Sequence, residues 1–261
     1  SSPTSPVSFK EANSCLCYWM EQQGYDVSYI SNMDTHNHGS RLKLAKGFIS
    51  VGHDEFWTLE MYDNVRAARD AGVNLAFLSG NTMLKVVPLL PSVEGQPDRI
   101  IHLDGYFVGK QYATRSGTGY QMGPDGALLM GGRHAGIGGG DWICSKPDHW
   151  LYEGTGMKKG DMIKGLVGWE WNGKPARDLP GHEIVGTSNA VDGKKRANSS
   201  HAATIYNGPK GYVVFNAACI WYAQGMSSPP GHVLPANRAK PQGPDPRAQR
   251  MTKNVFDRFI K

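Results

Sequence analysis

Long hydrophobic runs are missing from this chain of 261 residues. No apolar stretch approaches the roughly 20 residues that cross a lipid bilayer as a helix, and no signal peptide is recognisable. Hydrophobic residues nonetheless make up 39% of the chain, which is ordinary for a globular protein with a buried core. We therefore predict a globular protein with no membrane partner.

Cysteine is scarce. The chain has four, Cys15, Cys17, Cys144 and Cys219, and they form neither a CxxC pair nor a spacing typical of zinc sites. Cys15 and Cys17 lie on different faces of a predicted helix, so they are poor ligands for a shared metal. We interpret the four as buried thiols, which fits a reducing compartment and predicts a cytoplasmic location.

Concentrated positive charge and phosphate-binding motifs are also missing. The net charge of +5 is spread along the chain, and the densest basic cluster, residues 194–196, is short and has no interleaved aromatic residues. The glycine-rich residues 131–141 lack the GK[ST] ending of a phosphate loop. We therefore predict neither a nucleic-acid partner nor a nucleotide cofactor.

The chain does contain a strand–helix–strand unit. Residues 47–51 and 73–78 are apolar runs of strand length. Between them, residues 58–71 repeat apolar side chains at helical spacing, from the N-cap Thr58 to the terminating Gly72. Continuous apolar strands are typical of parallel sheets covered on both faces. The pattern predicts two central parallel strands of an α/β sheet, joined by a right-handed crossover.

The rest of the chain gives weaker signals. Residues 104–141 are rich in glycine and predict a mobile loop or one ordered by packing elsewhere. Capping and periodicity patterns predict further elements, namely helices over residues 9–23 and 251–260, a strand over residues 25–30, and a hairpin of residues 201–206 and 212–216.

Polar loops follow both strands of the unit. The first contains His53 and Glu55, and the second contains Asn81 in the sequence Ser-Gly-Asn-Thr. In open α/β sheets, ligands bind beyond the carboxyl ends of the strands, so we predict that His53, Glu55 and Asn81 are catalytic. The alternative is local structure, in which Glu55 caps the helix, His53 bonds nearby and Asn81 supports a turn.

The second loop occupies the place of a nucleophile elbow, yet it contains no cysteine. A Cys-His-Glu hydrolase is therefore not predicted. Ser79 and Thr82 supply hydroxyl groups, but the sequence shows no base beside either one.

Glu170 is a lone carboxylate in the apolar strand of residues 167–171. Burying its charge is costly without a partner, so it either pairs with a base such as Arg177 or binds something cationic. We predict that Glu170 converges with His53, Glu55 and Asn81 on one pocket.

Several stretches, in order along nearly the whole chain, carry a family resemblance: EQQGYDVSYISNMD (residues 21–34), GHDEFW (52–57), NLAFLSGNTM (74–83), KPDHWLYEGTGMKKGD (146–161), GLVGWEWNG (165–173) and PDPRAQRMTKNVFDRFI (244–260). The chain resembles the C-terminal domain of the large (beta) subunit of N,N-dimethylformamidase, which is similar in turn to class I glutamine-amidotransferase-like proteins. The resemblance implies one domain over residues 1–261. Its expected fold is an α/β, flavodoxin-like parallel sheet with helices on both faces, plus a Gly/Pro-rich, β-rich insertion around residues 104–160 and a C-terminal helix.

The resemblance also implies a function. It predicts a hydrolase of small, non-peptide amide C–N bonds, in which a mononuclear iron, held by two tyrosines and one glutamate, activates water. Glu170 matches the glutamate, and the tyrosines are expected where this chain has Phe56 and Leu84. Neither of those two side chains can bind a metal. Tyr25, Tyr29 and Tyr62 are other phenols, outside the expected motifs.

Two other functions compete with the hydrolase. One is an inactive binding or scaffold module that kept the fold and lost the chemistry. The other is carbohydrate binding, with tryptophan rings as stacking platforms, although most of these tryptophans lie in core-like contexts, which argues for packing instead. The tryptophans concerned are Trp57, Trp142, Trp150, Trp169, Trp171 and Trp221.

We also expect the chain to be incomplete as a functional unit. It opens on a helix where this fold normally opens on a strand, and the glycine-rich residues 131–140 have little to fold against. The related domain lies inside a larger assembly. We therefore predict a homo- or hetero-oligomer, or a place in a larger chain, with an interface above about 1,000 Å² and a small molecule as substrate.

Overall fold

A computed structural model describes residues 9–103, 105–109, 122–175, 179–195, 199–235 and 241–261, with the side chains of residues 9–12 left aside. Its helices are α1 (Phe9–Gln22), α2 (Asn32–Asn37), α3 (Leu59–Asp70), α4 (Ala127–Met130) and α5 (Pro246–Ile260), with 3-10 helices at Gly39–Leu44, Trp150–Tyr152 and Ile220–Gly225. Its strands are β1 (Gly47–His53), β2 (Phe56–Trp57), β3 (Asn74–Gly80), β4 (Lys85–Val86), β5 (Leu89–Leu90), β6 (Ile100–Ile101), β7 (Gly105–Tyr106), β8 (Arg133–Cys144), β9 (Met162–Gly173), β10 (Glu183–Ser188), β11 (Ala202–Asn207) and β12 (Val213–Asn216).

The predicted strand–helix–strand unit is confirmed. Strands β1 and β3 pair in parallel, from Gly47 opposite Asn74 to His53 opposite Gly80, and α3 lies between them in sequence. Thr58 caps α3, since its hydroxyl accepts a hydrogen bond from the backbone N–H of Met61 at 3.0 Å. Strand β1 lies at the edge of the sheet and is therefore not a central strand as predicted.

The predicted flavodoxin-like class is wrong. The main sheet has seven strands in the order β1-β3-β12-β11-β10-β8-β9, and it is mixed, curled and rich in β-structure. Only β1, β3 and β12 run parallel, whereas every other pairing in this sheet is antiparallel. Parallel neighbours need a long crossover, usually a helix. The described residues between β8 and β12 contain no α-helix, so these strands pair antiparallel.

The glycine-rich run is strand β8, which corrects our prediction of a loop with little to fold against. It pairs with β9 along most of its length, from Arg133 opposite Gly173 to Ile143 opposite Met162. A Cβ on Gly136 would lie 2.1 Å from the indole of Trp171. Glycine therefore leaves room for a large side chain of the paired strand, and β8 belongs to the main sheet.

Two apolar clusters sandwich the sheet. Leu75 and Phe77 of β3 face α3, while Ala76 and Leu78 face a second cluster that includes side chains of α1 and α5. Burial on both faces explains the continuous apolar run in β3. The carboxyl end of β3 therefore lies in a well-packed part of the molecule.

Several smaller predictions can be compared with the structure. The hairpin of β11 and β12 is confirmed as an antiparallel pair, but residues 25–30 form no strand. Helix α5 begins at Pro246, five residues earlier than predicted, with Asp245 as its N-cap. In the described part of the chain, no helix combines the length and the apolar character needed to cross a membrane.

Candidate active site

The site lies at the carboxyl ends of β1 and β3. His53 is the last residue of β1 and pairs with Gly80, the last residue of β3. The two following loops are tied together, because the backbone N–H of Met83 donates to the carbonyl of Asp54 at 2.9 Å and that of Leu84 to the carbonyl of Glu55 at 3.1 Å. Hydrogen bonds between the loops thus hold the predicted site residues in one place.

Glu170 reaches the same place from the opposite edge of the sheet. Its strand, β9, is the last in the sheet order, but the curl of the sheet brings it to the end of β3. A Cβ on Gly80 would lie only 2.4 Å from the backbone oxygen of Glu170. The absence of a side chain at residue 80 therefore permits the approach of β9.

The structure brings all four predicted site residues together around one atom. The Nε2 atom of His53 lies 3.0 Å from Oε2 of Glu170, 3.4 Å from Oε2 of Glu55 and 3.4 Å from Nδ2 of Asn81. Asn81 adopts φ of 54°, a left-handed conformation that asparagine tolerates better than most residues. One imidazole thus contacts two carboxylates and an amide, whereas the catalytic roles of these groups remain predictions.

The electrostatics of the cluster favour a protonated imidazole. Burial by itself would lower the pKa of His53, but the hydrogen bond and charge of Glu170, together with the charges of Glu55 and Asp54, raise it above its ordinary value. Burial also raises the pKa of Glu55; the charge of His53 opposes this rise and that of Glu170 adds to it. The pKa of each group is therefore raised, which makes Glu55 a stronger base and keeps the imidazole protonated to higher pH.

Trp169 covers the imidazole. Its ring stacks on that of His53 with centroids 5.4 Å apart and an interplanar angle of 12°. The sequence suggested Trp169 only as a stacking platform for sugars and gave no sign of this contact. Regular strand alternation would place the side chains of Trp169 and Glu170 on opposite faces of β9, so the sequence pattern contained no signal for it.

A buried chain of hydroxyl groups joins the two loops beneath the cluster. Ser50 donates to Oδ2 of Asp54 at 2.7 Å, its oxygen lies 2.9 Å from that of Ser79, and Ser79 lies 2.7 Å from the hydroxyl of Thr82. Ser50 and Asp54 were not predicted as site residues, although the position of Asp54 directly after β1 is a signal that could have found it. Ser79 and Thr82 are buried and bonded to each other, which argues against either as a nucleophile.

The implied iron ligands do not fit this part of the chain. Glu170 supplies a carboxylate, but Phe56 and Leu84 supply no ligand atom. The hydroxyls of Tyr25 and Tyr29 bond to Asp257 and Glu21, and Tyr62 stacks on Phe107 in the core beside α3. No group of three or more His, Cys, Asp or Glu side chains among the described residues could hold a metal ion. Arg177, the suggested partner of Glu170, lies outside the described residues.

Most of the tryptophans proposed as sugar platforms lie in the core. Four of the six are fully buried, namely Trp57, Trp142, Trp171 and Trp221. Trp150 is half-buried beneath the guanidinium of Arg258, which lies 4.5 Å from its ring centroid. Four of the six rings are therefore explained by packing in the core, as the alternative to sugar binding predicted.

The fold and site together define a β-rich domain with a mixed, curled sheet and a histidine–carboxylate cluster at the carboxyl ends of two parallel strands. A family model described as "N,N-dimethylformamidase beta subunit-like, C-terminal" matches residues 3–237. The chain belongs to this family, and the resemblance inferred from its motifs is confirmed. A search of curated proteins found no match. The family's name links the domain to an amide hydrolase.

Proposed function

We propose that this domain hydrolyses the C–N bond of a small, non-peptide amide at the His53 cluster. The observation that carries the proposal is the convergence of Glu55, Glu170 and Asn81 on Nε2 of His53. Membership of a family named after N,N-dimethylformamidase supports the same reaction class. Amide hydrolysis needs a base for water and an acid for the leaving amine, and the cluster offers both.

Each residue has a proposed role. Glu55 takes a proton from water as the water oxygen attacks the carbonyl carbon, because a raised pKa makes this carboxylate a stronger base. The amide of Asn81 donates to the carbonyl oxygen as negative charge develops there. His53, held protonated by Glu170, gives its proton to the leaving nitrogen as the C–N bond breaks. The proton taken up by Glu55 then restores His53.

The family resemblance further predicts that a bound iron ion activates the attacking water. The steps above use only the chain's own side chains, since the described residues lack the expected tyrosine pair. Metal analysis of the purified chain tests this point. A stoichiometric transition metal would show that a ligand set other than the expected one exists.

The reaction is tested with the purified chain and a panel of small amides, including formamide, acetamide and N,N-dimethylformamide, by measuring the amine or ammonia released. We expect Glu55→Gln to lower kcat/KM by at least about 100-fold, the lower range for general acid–base catalysis. The matched control is Glu183→Gln, because Glu183 is a surface carboxylate paired with Lys146. Turnover by Glu55→Gln within twofold of the unmodified chain would contradict the role of Glu55.

A binding or scaffold module is the second candidate. It is favoured by Phe56 and Leu84, which stand where the family resemblance predicts metal-binding tyrosines. Under this alternative, no amide in the panel is hydrolysed, and the His53 cluster serves only to hold the end of β9 against β3.

We also propose that the chain works in the cytoplasm and within a larger assembly, as homo- or hetero-oligomer or as part of a longer chain. The four cysteines are free, which suits a reducing compartment. Apolar side chains around β5 and β6 are exposed, among them Leu90, Ile101 and Leu103, and such side chains often mark interfaces. Light scattering at micromolar concentration should give at least twice the mass of one chain. A monodisperse, fully active monomer would contradict the assembly.

A further inference from the structure

A small three-stranded sheet lies directly beside the His53 cluster. In this sheet Phe56 pairs with Lys85, and Lys85 pairs with Tyr106. Directly paired residues point to the same face of a sheet, and the neighbouring residues Trp57 and Val86 are fully buried on the other face. Phe56, Lys85 and Tyr106 therefore form one outer surface, which we name the recognition face.

Lys85 is the cation of this face. Its Nζ lies 3.7 Å from the ring centroid of Tyr106, and within the described ranges no carboxylate lies within 4 Å of it. Lys85 is half-buried, and the aromatic residues paired with it on either side, Phe56 and Tyr106, are each 38% exposed. An ammonium in such a place has hydrogen-bonding capacity left for a ligand, because a cation–π contact leaves N–H donors unused.

The recognition face is also anchored to the cluster. The backbone N–H of Lys85 donates to the carbonyl of Glu55 at 3.0 Å. Burial raises the pKa of Glu55, and the charge of Lys85 acts against that rise, so the two side chains lie within electrostatic reach. A ligand held by Lys85 would therefore lie beside the strand that follows Glu55.

We propose that the recognition face selects the substrate, with Lys85 binding a carboxylate and the rings of Phe56 and Tyr106 packing against its carbon atoms. The substrate class is then a small amide that also carries a carboxylate, of the N-acylamino acid type. This inference rests on the proposed function, since it names the substrate of the same site. It also predicts selection against cationic amides, which Lys85 would repel.

Binding measurements test the inference without requiring turnover. The probes are N-acetylglycine and its neutral counterpart N-acetylglycinamide, with dissociation constants measured by NMR titration or calorimetry. We expect the carboxylate probe to bind at least about tenfold more tightly, the range of a charge-assisted hydrogen bond. Lys85→Met should remove this preference, because methionine keeps the apolar stem and loses the charge, and Lys85→Arg should retain it.

Lys210→Met is the matched control. Lys210 is an exposed lysine in the turn before β12, a strand that runs parallel to β3. It therefore lies at the amino ends of these strands, whereas the site lies at the carboxyl ends, and its substitution should leave the preference unchanged. Equal binding of the two probes by the unmodified chain, no binding of either probe, or a preference that survives in Lys85→Met would each overturn the inference.

Hydrolysis followed in the same samples separates the two proposals. Turnover of both probes with equal kcat/KM would uphold the amide hydrolase and overturn the role of Lys85. A carboxylate preference in binding that depends on Lys85, without any turnover of the probes or of the small-amide panel, would uphold the recognition face and overturn the hydrolase.

Discussion

Oε2 of Glu170 lies 3.0 Å from Nε2 of His53, and this contact joins β9 to β1, the two outermost strands of the seven-stranded sheet. A flat sheet would hold its edge strands far apart, since each strand adds nearly 5 Å. The curl of this sheet is therefore what assembles the cluster. The side chains of Glu170 and His53 are 9% and 21% exposed, so their charges interact with little screening by water.

Replacing Glu170 by glutamine should lower the pKa of His53. The hydrogen bond and charge of Glu170 are the largest effects that raise this pKa, whereas burial, which lowers it, would remain. NMR titration of the imidazole measures the shift directly. Glu183→Gln serves as the control, and an unchanged His53 pKa in Glu170→Gln would contradict the electrostatic description of the cluster.

Replacing Gly80 by alanine should destabilise the protein and separate Glu170 from His53. A Cβ at residue 80 would lie 2.4 Å from the backbone oxygen of Glu170 and 2.8 Å from the backbone nitrogen of Ile220, neither of which can move independently. We expect a loss of about 1–3 kcal/mol in the free energy of unfolding, typical of overpacking. Urea denaturation measures it.

Gly193→Ala is the matched control for Gly80→Ala. A Cβ there meets only the backbone oxygen of Ile137, at an ordinary 3.5 Å. Equal stability of the two variants would show that β9 does not pack against Gly80 as closely as described.

Acid should weaken the fold through His201. Burial lowers the pKa of this histidine to about 4, although hydrogen bonds to the carbonyl of Ala217 and to the backbone of Thr187 oppose the shift. As pH falls from about 6.5, the ordinary pKa, toward 4, the unfolded chain binds a proton that the folded protein excludes. His201 therefore contributes stability above pH 6.5 that is lost in this window, by about 3 kcal/mol at most.

The measurement compares the unfolding free energies of the unmodified chain and His201→Gln at pH 7.5 and 4.5. We expect the unfolding free energy of His201→Gln, relative to that of the unmodified chain, to be higher at pH 4.5 than at pH 7.5. His53 does not interfere, because it is present in both proteins and its pH-dependent contribution cancels in the difference between them. The exposed His102→Gln is the control; a pH dependence identical in His201→Gln and the unmodified chain would contradict the prediction.

Replacing Ser50 by alanine should break the buried hydroxyl chain. Asp54 would lose the donor at 2.7 Å, and Ser79 would lose its neighbour at 2.9 Å. Losing these two hydrogen bonds, one of them to a carboxylate, costs about 1–3 kcal/mol, which thermal or urea denaturation will detect. The exposed Ser40→Ala should change stability by less than about 0.5 kcal/mol. An equally small effect of Ser50→Ala would show that the buried hydroxyl chain adds little to the stability of the protein.

Short-range sequence patterns were enough to predict the strand–helix–strand unit of β1, α3 and β3, which positions half of the site. The apolar runs of β1 and β3, the cap at Thr58 and the periodic side chains of α3 depend on neighbours only a few residues apart. Parallel pairing then places the ends of β1 and β3 together. The proximity of His53 and Asn81 followed from that pairing, because both residues lie at those ends.

Only the tertiary structure decided the order and direction of the remaining strands and the place of Glu170. The glycines of β8 show no side-chain periodicity that would predict a strand. Only the folded structure shows that the indole of Trp171 occupies the space beside Gly136, where a larger residue would not fit. Likewise, the partner of Glu170 depends on how far the sheet curls and on the missing Cβ of Gly80. These contacts join residues far apart in sequence, so their energies are properties of packing that no local pattern encodes.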